Sequence, residues 1–425
     1  MNPMAEHPVP EFDAVVVGGG PAGSTVAHLL AKAGAKVLVL EKETFPRFRI
    51  GESLLPFSTP IFEKLGVLDE IKARFQHKLG AFFTEEGKEA NRKVVFAHGF
   101  KKGYGLAFHA KRAELDEILI RAAERAGAEV RFGWKVASLV KNGAGVEGVR
   151  AIGPDGVSHE IRARVVVDAS GRVALGARAE ERVIPDEALR RGALFTHVAN
   201  APIGEGETEG DIRMVVFDHG WWWFIPFSDG TWSVGVVTDA MPPGTTLDER
   251  FDLLVESTAT VRERLKDATR LMPVQAESDY SYGVRQIVDD GYVAIGDAAG
   301  FLDPIFSSGV FLAMATGEKA AEVLAPVLAR GGRVRALDLA PYEKFARKGY
   351  RKFREFVVGF YDSGFRDTFY ANPPVRALYS SVTSILAGAV FAPSKALRWW
   401  SHVFLFFARL ESWKQRRARA KGVAA

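Results

Sequence analysis

The 425-residue chain contains no cysteine, which excludes disulfides, thiolate metal sites and redox dithiols. Histidine is sparse: nine residues are scattered with no H-x-x-x-H pair, so no metal site is expected. No apolar run reaches the ~18 residues needed to cross a bilayer. The opening residues, Met1 to Glu11, are polar and proline-containing and lack the apolar core of a signal peptide. A cytoplasmic location is the expectation. Charge excess is also small. The net value is +4, yet from Phe391 to Ala425 eight Lys/Arg face one acid, Glu411. That tail carries +7 and leaves −3 for the preceding chain, so a general nucleic-acid footprint is not expected. What remains is 47% apolar and 25% charged, enough to bury a large core in two or three domains.

Near the N-terminus a short apolar strand, Phe12 to Val17, runs into Gly18-Gly19-Gly20-Pro21-Ala22-Gly23. A helical pattern starting at Ser24 follows, then a second strand, Lys36 to Leu40, which ends at Glu41. Strand, G-x-G-x-x-G, helix, strand and acid in this order predict a dinucleotide-binding unit. Gly18 permits the tight turn, Gly20 lets the backbone approach a pyrophosphate, and Gly23 lets helix and strand pack closely. The helix N-terminus faces the phosphates. Glu41, 21 residues after Gly20, is placed to accept bonds from an adenosine ribose.

This motif alone does not separate FAD from NAD. Two later strand ends, Asp168-Ala169-Ser170-Gly171 and Gly296-Asp297-Ala298-Ala299-Gly300, resemble the FAD-contacting strand ends of the flavoprotein monooxygenase superfamily. Arg112 to Asp116 resembles that superfamily's R-x-x-x-D helix start, and a helix from about Ser308 to Leu328 would point its N-terminus at the flavin. The resemblance implies non-covalent FAD held by Gly18, Gly20, Ala22, Gly23, Ser24, Glu41, Lys42, Arg49, Gly51, Glu52, Ser53, Arg112, Val136, Gly171, Gly296, Asp297, Pro304 and Gly309. No second phosphate-binding glycine loop is present, so no dedicated NAD(P)H domain is expected.

Within that superfamily the chain most resembles the flavin-dependent halogenases. Trp221-x-Trp223-x-Ile225-Pro226 matches the W-x-W-x-I-P pattern without departure. Lys78-Leu79-Gly80-Ala81 resembles the K-x-G-A segment, whose lysine separates the flavin and substrate chambers. Asp303-Pro304-Ile305-Phe306-Ser307-Ser308-Gly309 resembles the D-P-x-x-S-x-G loop, where amides near the Ser-Gly step bind chloride. Gly51-Glu52-Ser53 resembles the mobile strap beside the flavin. The resemblance implies that FADH2 from a separate flavin reductase, dioxygen and chloride or bromide give hypohalous acid, which Lys78 delivers to an arene. A compact cation whose pKa burial can lower suits that task. Ser308 and Gly309 are the implied halide residues. Trp221, Trp223, Pro226, Phe306 and Phe311 are the expected substrate wall.

Two departures concern the substrate. Phe306 stands where tryptophan halogenases carry a glutamate, which points away from indole and toward a phenol or pyrrole, free or carrier-protein-tethered. Phe311 replaces the histidine of the S-S-G-V-H pattern. The expected fold is α/β: a Rossmann-type FAD-binding domain (1–182 and 283–340), with 78–108 at the substrate-sheet interface. An inserted antiparallel β-sheet substrate domain (183–282) and a C-terminal helical region with a basic tail (341–425) complete it. The aromatic, basic last helix, Ala396 to Trp413, reads as a lid with a solvated end, or as a docking element for an acidic carrier protein or a membrane surface. Competing functions are a geranylgeranyl-reductase-like enzyme acting on lipid alkenes, an aromatic hydroxylating monooxygenase, and a catalytically silent FAD-binding protein.

Overall fold

The first strand shows no alternation of apolar and polar residues: Phe12–Val17 is apolar at five of six positions and buried along almost its whole length. Such a strand belongs inside a parallel sheet covered on both faces. It pairs in parallel with Val37–Glu41 on one side and Ser158–Asp168 on the other. Tyr292–Ala294 and Glu129–Phe132 extend the sheet in parallel, and Val288–Asp289 closes one edge antiparallel. The computed structural model describes residues 11–88, 91–202, 209–278, 281–371, 375–391 and 393–420. The reading of the opening residues therefore lies, except for Glu11, outside the described residues.

Helix α1 (Pro21–Lys32) packs against α2 (Arg112–Arg125) and α3 (Gly309–Ala329). The pairings Val17↔Asp168 and Asp168↔Ala294 bring three strand ends to one edge of the sheet. In sheets of this kind a ligand binds beyond those carboxyl ends.

The second large sheet runs Thr269–Arg270, Gly192–Ala199, Trp232–Thr238, Gly220–Pro226, Ile212–Phe217, Gly80–Glu85 and Asn91–Val95, with Gln275–Ser278 also on Gly192–Ala199. It is antiparallel except where Gly80–Glu85 meets Ile212–Phe217 in parallel. That strand arrives from the N-terminal segment and not through a hairpin, so no tight turn dictates its direction. Val183–Pro185 and Tyr282–Val284 lie outside this sheet. They pair with each other and with Gly300–Phe301, where the chain leaves and returns.

The strand period of two splits the tryptophan run. Trp221, Trp223 and Ile225 face the core shared with the C-terminal helices, whereas Trp222 and Phe224 face helices Leu247–Ser257 and Ala259–Leu265. The C-terminal region forms α4 (Ala340–Phe360), α5 (Ser363–Tyr370), α6 (Arg376–Ala387) and α7 (Lys395–Ala420). Among the described residues no helix is long and apolar enough to cross a membrane, and no cluster of three or more His, Asp or Glu could hold a metal.

Candidate functional site

Two glycines of the turn, Gly18 and Gly23, have no room for a side chain. Gly18 adopts φ +100°, and a Cβ on Gly23 would lie 1.9 Å from the Gly18 carbonyl oxygen. A Cβ on Gly20 would meet only Arg47 Nη2, at 3.7 Å, so the turn is open on that side. Ala22 is buried beneath Gly296, and Ser24 Oγ donates to the Gly19 carbonyl at 2.9 Å. The Glu41 carboxylate accepts from the Gly19 N–H at 2.8 Å and the Glu43 N–H at 2.9 Å.

Behind the turn, two arginines converge on the buried Asp116. Arg112 Nε and Nη2 donate to its two oxygens at 2.8 and 2.9 Å, and Arg47 Nη1 donates at 2.9 Å. Burial works against the charge of Arg112, but the pairing with Asp116 outweighs it and raises its pKa. Arg47 also lies 3.8 Å from Glu41. Sequence reasoning missed Arg47, although it stands two residues before Arg49, which it did select. Arg49 donates to Glu43 at 2.7 Å and exposed Lys42 lies 3.8 Å from it, so both reach the cluster only through Glu43, which is 3.6 Å from Arg47; Val136, buried in the strand Lys135–Asn142, lies apart. An open glycine turn backed by two fixed guanidinium groups fits the pyrophosphate of a dinucleotide.

The Gly296–Asp297 strand end fits the remainder of FAD. Burial pushes the Asp297 carboxyl up to about 6, against the pull of Arg112 and Arg172. Three tyrosine hydroxyls hold its backbone: Tyr342 on the Ala294 carbonyl, Tyr350 on Gly296 and Tyr282 on Asp297. Burial raises the pKa of all three, so they remain donors. Asp168 is spent internally, on the Ser170 and Gly176 N–H groups and the Tyr292 hydroxyl, while Gly171 remains at the strand end with φ +63°. A ribityl hydroxyl donating to Asp297 would be held more strongly by the ionised carboxylate than by the protonated one. FAD affinity is therefore expected to fall as the pH drops through about 6, where Asp297 takes up its proton. Fluorescence titration across that range tests this, and Asp297→Asn should remove the step and weaken binding at neutral pH.

The strap crosses from the first sheet to the second. Its buried Glu52 accepts from His197 Nε2 at 3.0 Å, and Phe48 stacks on Phe195. A Cβ on Gly51 would approach Arg112 Nη1 to 3.1 Å. Beneath the strap lies Lys78, 1% exposed, at the end of the strand Gln76–Lys78. Its Nζ donates to Ser53 Oγ at 2.8 Å and to the Leu54 carbonyl at 2.9 Å, and sits 5.3 Å from the centre of the Phe96 ring. Among the described residues no carboxylate is within ion-pair distance of it. Burial lowers its pKa to about 7, against the pull of Asp211. His109, on the paired strand, is kept neutral by burial and by Lys78. A wholly buried lysine that titrates near neutrality is the expected signature of a proton-transfer or nucleophilic role.

The Asp303 loop ends at Ser308 and Gly309, where α3 begins. Nothing lies within 4 Å of a Cβ built on Gly309, so there is open space beside the start of a 21-residue helix, whose first-turn amides have no acceptor within the helix. Pro304 begins the intervening turn, and Asp303 Oδ1 caps it by accepting from the Ile305 N–H at 3.1 Å. Trp221 Nε1 donates to the Tyr361 hydroxyl, which donates to Asp303 Oδ2, each at 2.9 Å. This chain ties the tryptophan strand to the Asp303 loop through a residue just past α4. Trp223 Nε1 is occupied by Ser233 at 3.1 Å. Tyr361→Phe leaves a buried indole N–H without its acceptor, at a cost of about 1–3 kcal/mol. It is expected to raise the apparent KM for bromide by about tenfold while leaving the flavin spectrum unchanged. An unaltered bromide KM would remove the positioning role.

Not all of the expected substrate wall comes together. Phe311 lines a cavity of about 540 Å³ with Phe57, Phe96, Tyr104 and Phe391. Trp221, Trp223, Pro226 and Phe306 do not line it. Phe306 packs edge-on to Phe360 at 5.5 Å, and the three strand residues are buried. Phe96 therefore stands over the Lys78 ammonium and also lines the cavity.

The family profile described as tryptophan halogenase matches residues 13–105 and 84–372. A 1H-pyrrole-2-carbonyl-[peptidyl-carrier protein] chlorinase from Pseudomonas fluorescens is 33% identical over 417 residues, which is 92% of this chain and 91% of the relative. A solved flavoprotein/dehydrogenase from Cytophaga hutchinsonii aligns with a TM-score of 0.86 at 31% identity, over 95% of this chain and 99% of that one. A flavin-dependent brominase aligns with a TM-score of 0.84 at 28% identity, over 94% of this chain and 99% of that one.

Proposed function

Because this chain belongs to the flavin-dependent halogenase family, we propose that it halogenates an electron-rich arene, a pyrrole or phenol presented as a carrier-protein thioester. Lys78 activates the halogen in this reading. The observation that carries it is the placing of Lys78: buried, near-neutral in pKa, held by the strap on one side and covered by a ring of the aromatic cavity on the other. Halogenase relatives over most of the chain favour this over alkene reduction or hydroxylation.

Bound reduced FAD, drawn from a separate flavin reductase, supplies with dioxygen and halide the hypohalous acid. The remaining work belongs to the chain. The first-turn amides at Ser308 and Gly309 hold the halide. The Lys78 ammonium donates a hydrogen bond to the oxygen of hypohalous acid and polarises the halogen. The ring carbon forms its bond to halogen as the halogen–oxygen bond breaks, and the departing hydroxide takes a Lys78 proton and becomes water. The ring proton then passes to the neutral Lys78 amine, which restores the ammonium. A group that titrates near neutrality can serve as acid and then as base. The cavity is of the usual size for a small-molecule site, and its ring faces suit an aromatic substrate.

The test supplies FAD, a flavin reductase, NADH, oxygen and bromide with pyrrole and phenol substrates, both free and as carrier-protein thioesters, read by mass spectrometry. Brominated thioester is the expected result. Hydroxylated product would sink the proposal. Bromination of the free acids alone would remove its carrier-bound part.

A further inference from the structure

Helix α7 has a face that the fold does not use. Its inner side packs Leu397, Phe404 and Ala408 into the core. On the outer side Trp399, Phe406 and Trp413 are 66%, 63% and 48% exposed. They are seven residues apart, so at 3.6 residues per turn each falls within about 20° of the one before, along a line of about 21 Å. Arg398, Arg409 and Arg416 flank one side of that line, and Lys414 flanks the other beside the exposed Phe407. Arg417 covers the ring of Trp413 at 4.6 Å. Both strongly exposed tryptophans of the described residues lie on this one strip.

The helix that carries the strip starts at the cavity. Pro393, Ser394 and Leu397, which lead into and begin α7, line it, and Lys64 and Lys101 stand exposed at its rim. We propose that the outward face of α7 docks an acidic carrier protein, whose thioester-bound arene enters the cavity beside it; this rests on the function proposed above. Tryptophan, phenylalanine and arginine together form the composition of a protein-binding surface. Arg409, Arg416 and Lys414 pair with Glu355, Asp362 and Glu411, while Arg398 and Arg417 add charge that no acid among the described residues of the strip offsets, so the face stays net positive and suits an acidic partner. A second copy of this chain is disfavoured, since pairing the two faces would set Arg409, Arg416 and Arg417 against basic counterparts. A bilayer would accept the cations and rings but gives no reason for the helix to begin beside a cavity.

The FAD-loaded full chain is compared with two combined variants. One is Trp399→Ala, Phe406→Ala and Trp413→Ala; the other is Arg409→Glu, Arg416→Glu and Arg417→Glu. The substrates are an acidic stand-alone peptidyl-carrier domain bearing pyrrole-2-carboxylate, and the N-acetylcysteamine thioester of the same acid. Both variants are expected to lower kcat/KM for the carrier-bound substrate by about a hundredfold and to leave the small thioester unaffected. Fluorescence anisotropy of the labelled carrier domain reads docking separately. Carrier binding that both variants lose supports docking even where no brominated product forms, an outcome that would sink only the proposed reaction. Equal carrier binding by wild type and variants overturns docking. So does equal loss on both substrates, which indicates a structural role. Binding to phosphatidylglycerol vesicles, lost in the variants without any effect on the carrier, would overturn it in favour of a membrane surface.

Discussion

Lys78→Ala is expected to lower halogenation by about a thousandfold or more while the purified protein keeps its yellow flavin spectrum. Of the groups expected to hold the cofactor the side chain touches only Ser53, and the glycine turn, Arg112 and Asp297 keep their contacts without it. Product yield by mass spectrometry and FAD content by absorbance separate the two effects. Full activity in the variant would end the proposed role. Lys78 also couples stability to pH, and the sign follows from its lowered pKa. An unfolded lysine stays charged to about pH 10.4, whereas burial brings the folded one to about 7. Between those values the unfolded chain binds more protons, so this group makes stability rise with pH. Below about pH 7 the cost of burying the ammonium is fully present. Lys78→Met is therefore expected to raise Tm most below neutrality, with its advantage shrinking as the pH approaches 10. A Tm difference independent of pH would contradict the buried charge.

Gly23→Ala is expected to yield protein without flavin. Its new Cβ would stand 1.9 Å from the Gly18 carbonyl oxygen, a backbone atom that cannot turn aside. The helix must move from the strand, at a cost of about 1–3 kcal/mol in overpacking, and the amides that face the pyrophosphate move with it. Gly20→Ala separates the causes. That Cβ meets only the tip of Arg47, so the apoprotein Tm should stay near wild type while FAD affinity falls, because the methyl occupies the side the phosphates need. Calorimetry on the apoproteins and fluorescence titration with FAD make the comparison. Wild-type flavin binding by both variants would show that the dinucleotide does not sit at this turn.

The chain's local requirements were legible without coordinates. A glycine that must adopt positive φ, a strand buried on both faces and a helix that opens at a glycine each impose a residue pattern within a few positions. The dinucleotide unit, the strand ends at Asp168 and Asp297 and the start of α3 were read from such patterns. The alternation in Gly220–Pro226 likewise forces Trp221 and Trp223 onto one face and Trp222 onto the other. Which residues line the cavity proposed for the substrate was legible only in part. A strand of seven buried residues announces a packed core as readily as a pocket, and the cavity instead took Phe57, Tyr104 and Phe391 from three distant segments.

Partners chosen across the fold left no local mark. Arg47 reaches Asp116 from 69 positions away, and Tyr361 joins Trp221 across 140. No spacing rule predicts such pairs, because any tyrosine or arginine near the right core could have served. The charge state of Lys78 belongs to the same class. Residue type and neighbours in sequence suggested a lysine suited to carrying halogen. Only the strap, Phe96 and the second sheet, closing over it from separate parts of the chain, remove water from the ammonium and bring its pKa to about 7. The sequence by itself determined the dinucleotide turn and the family's motifs, which need only neighbouring residues. The tertiary structure decided which groups lose their solvent, and with that which of them can exchange a proton at neutral pH.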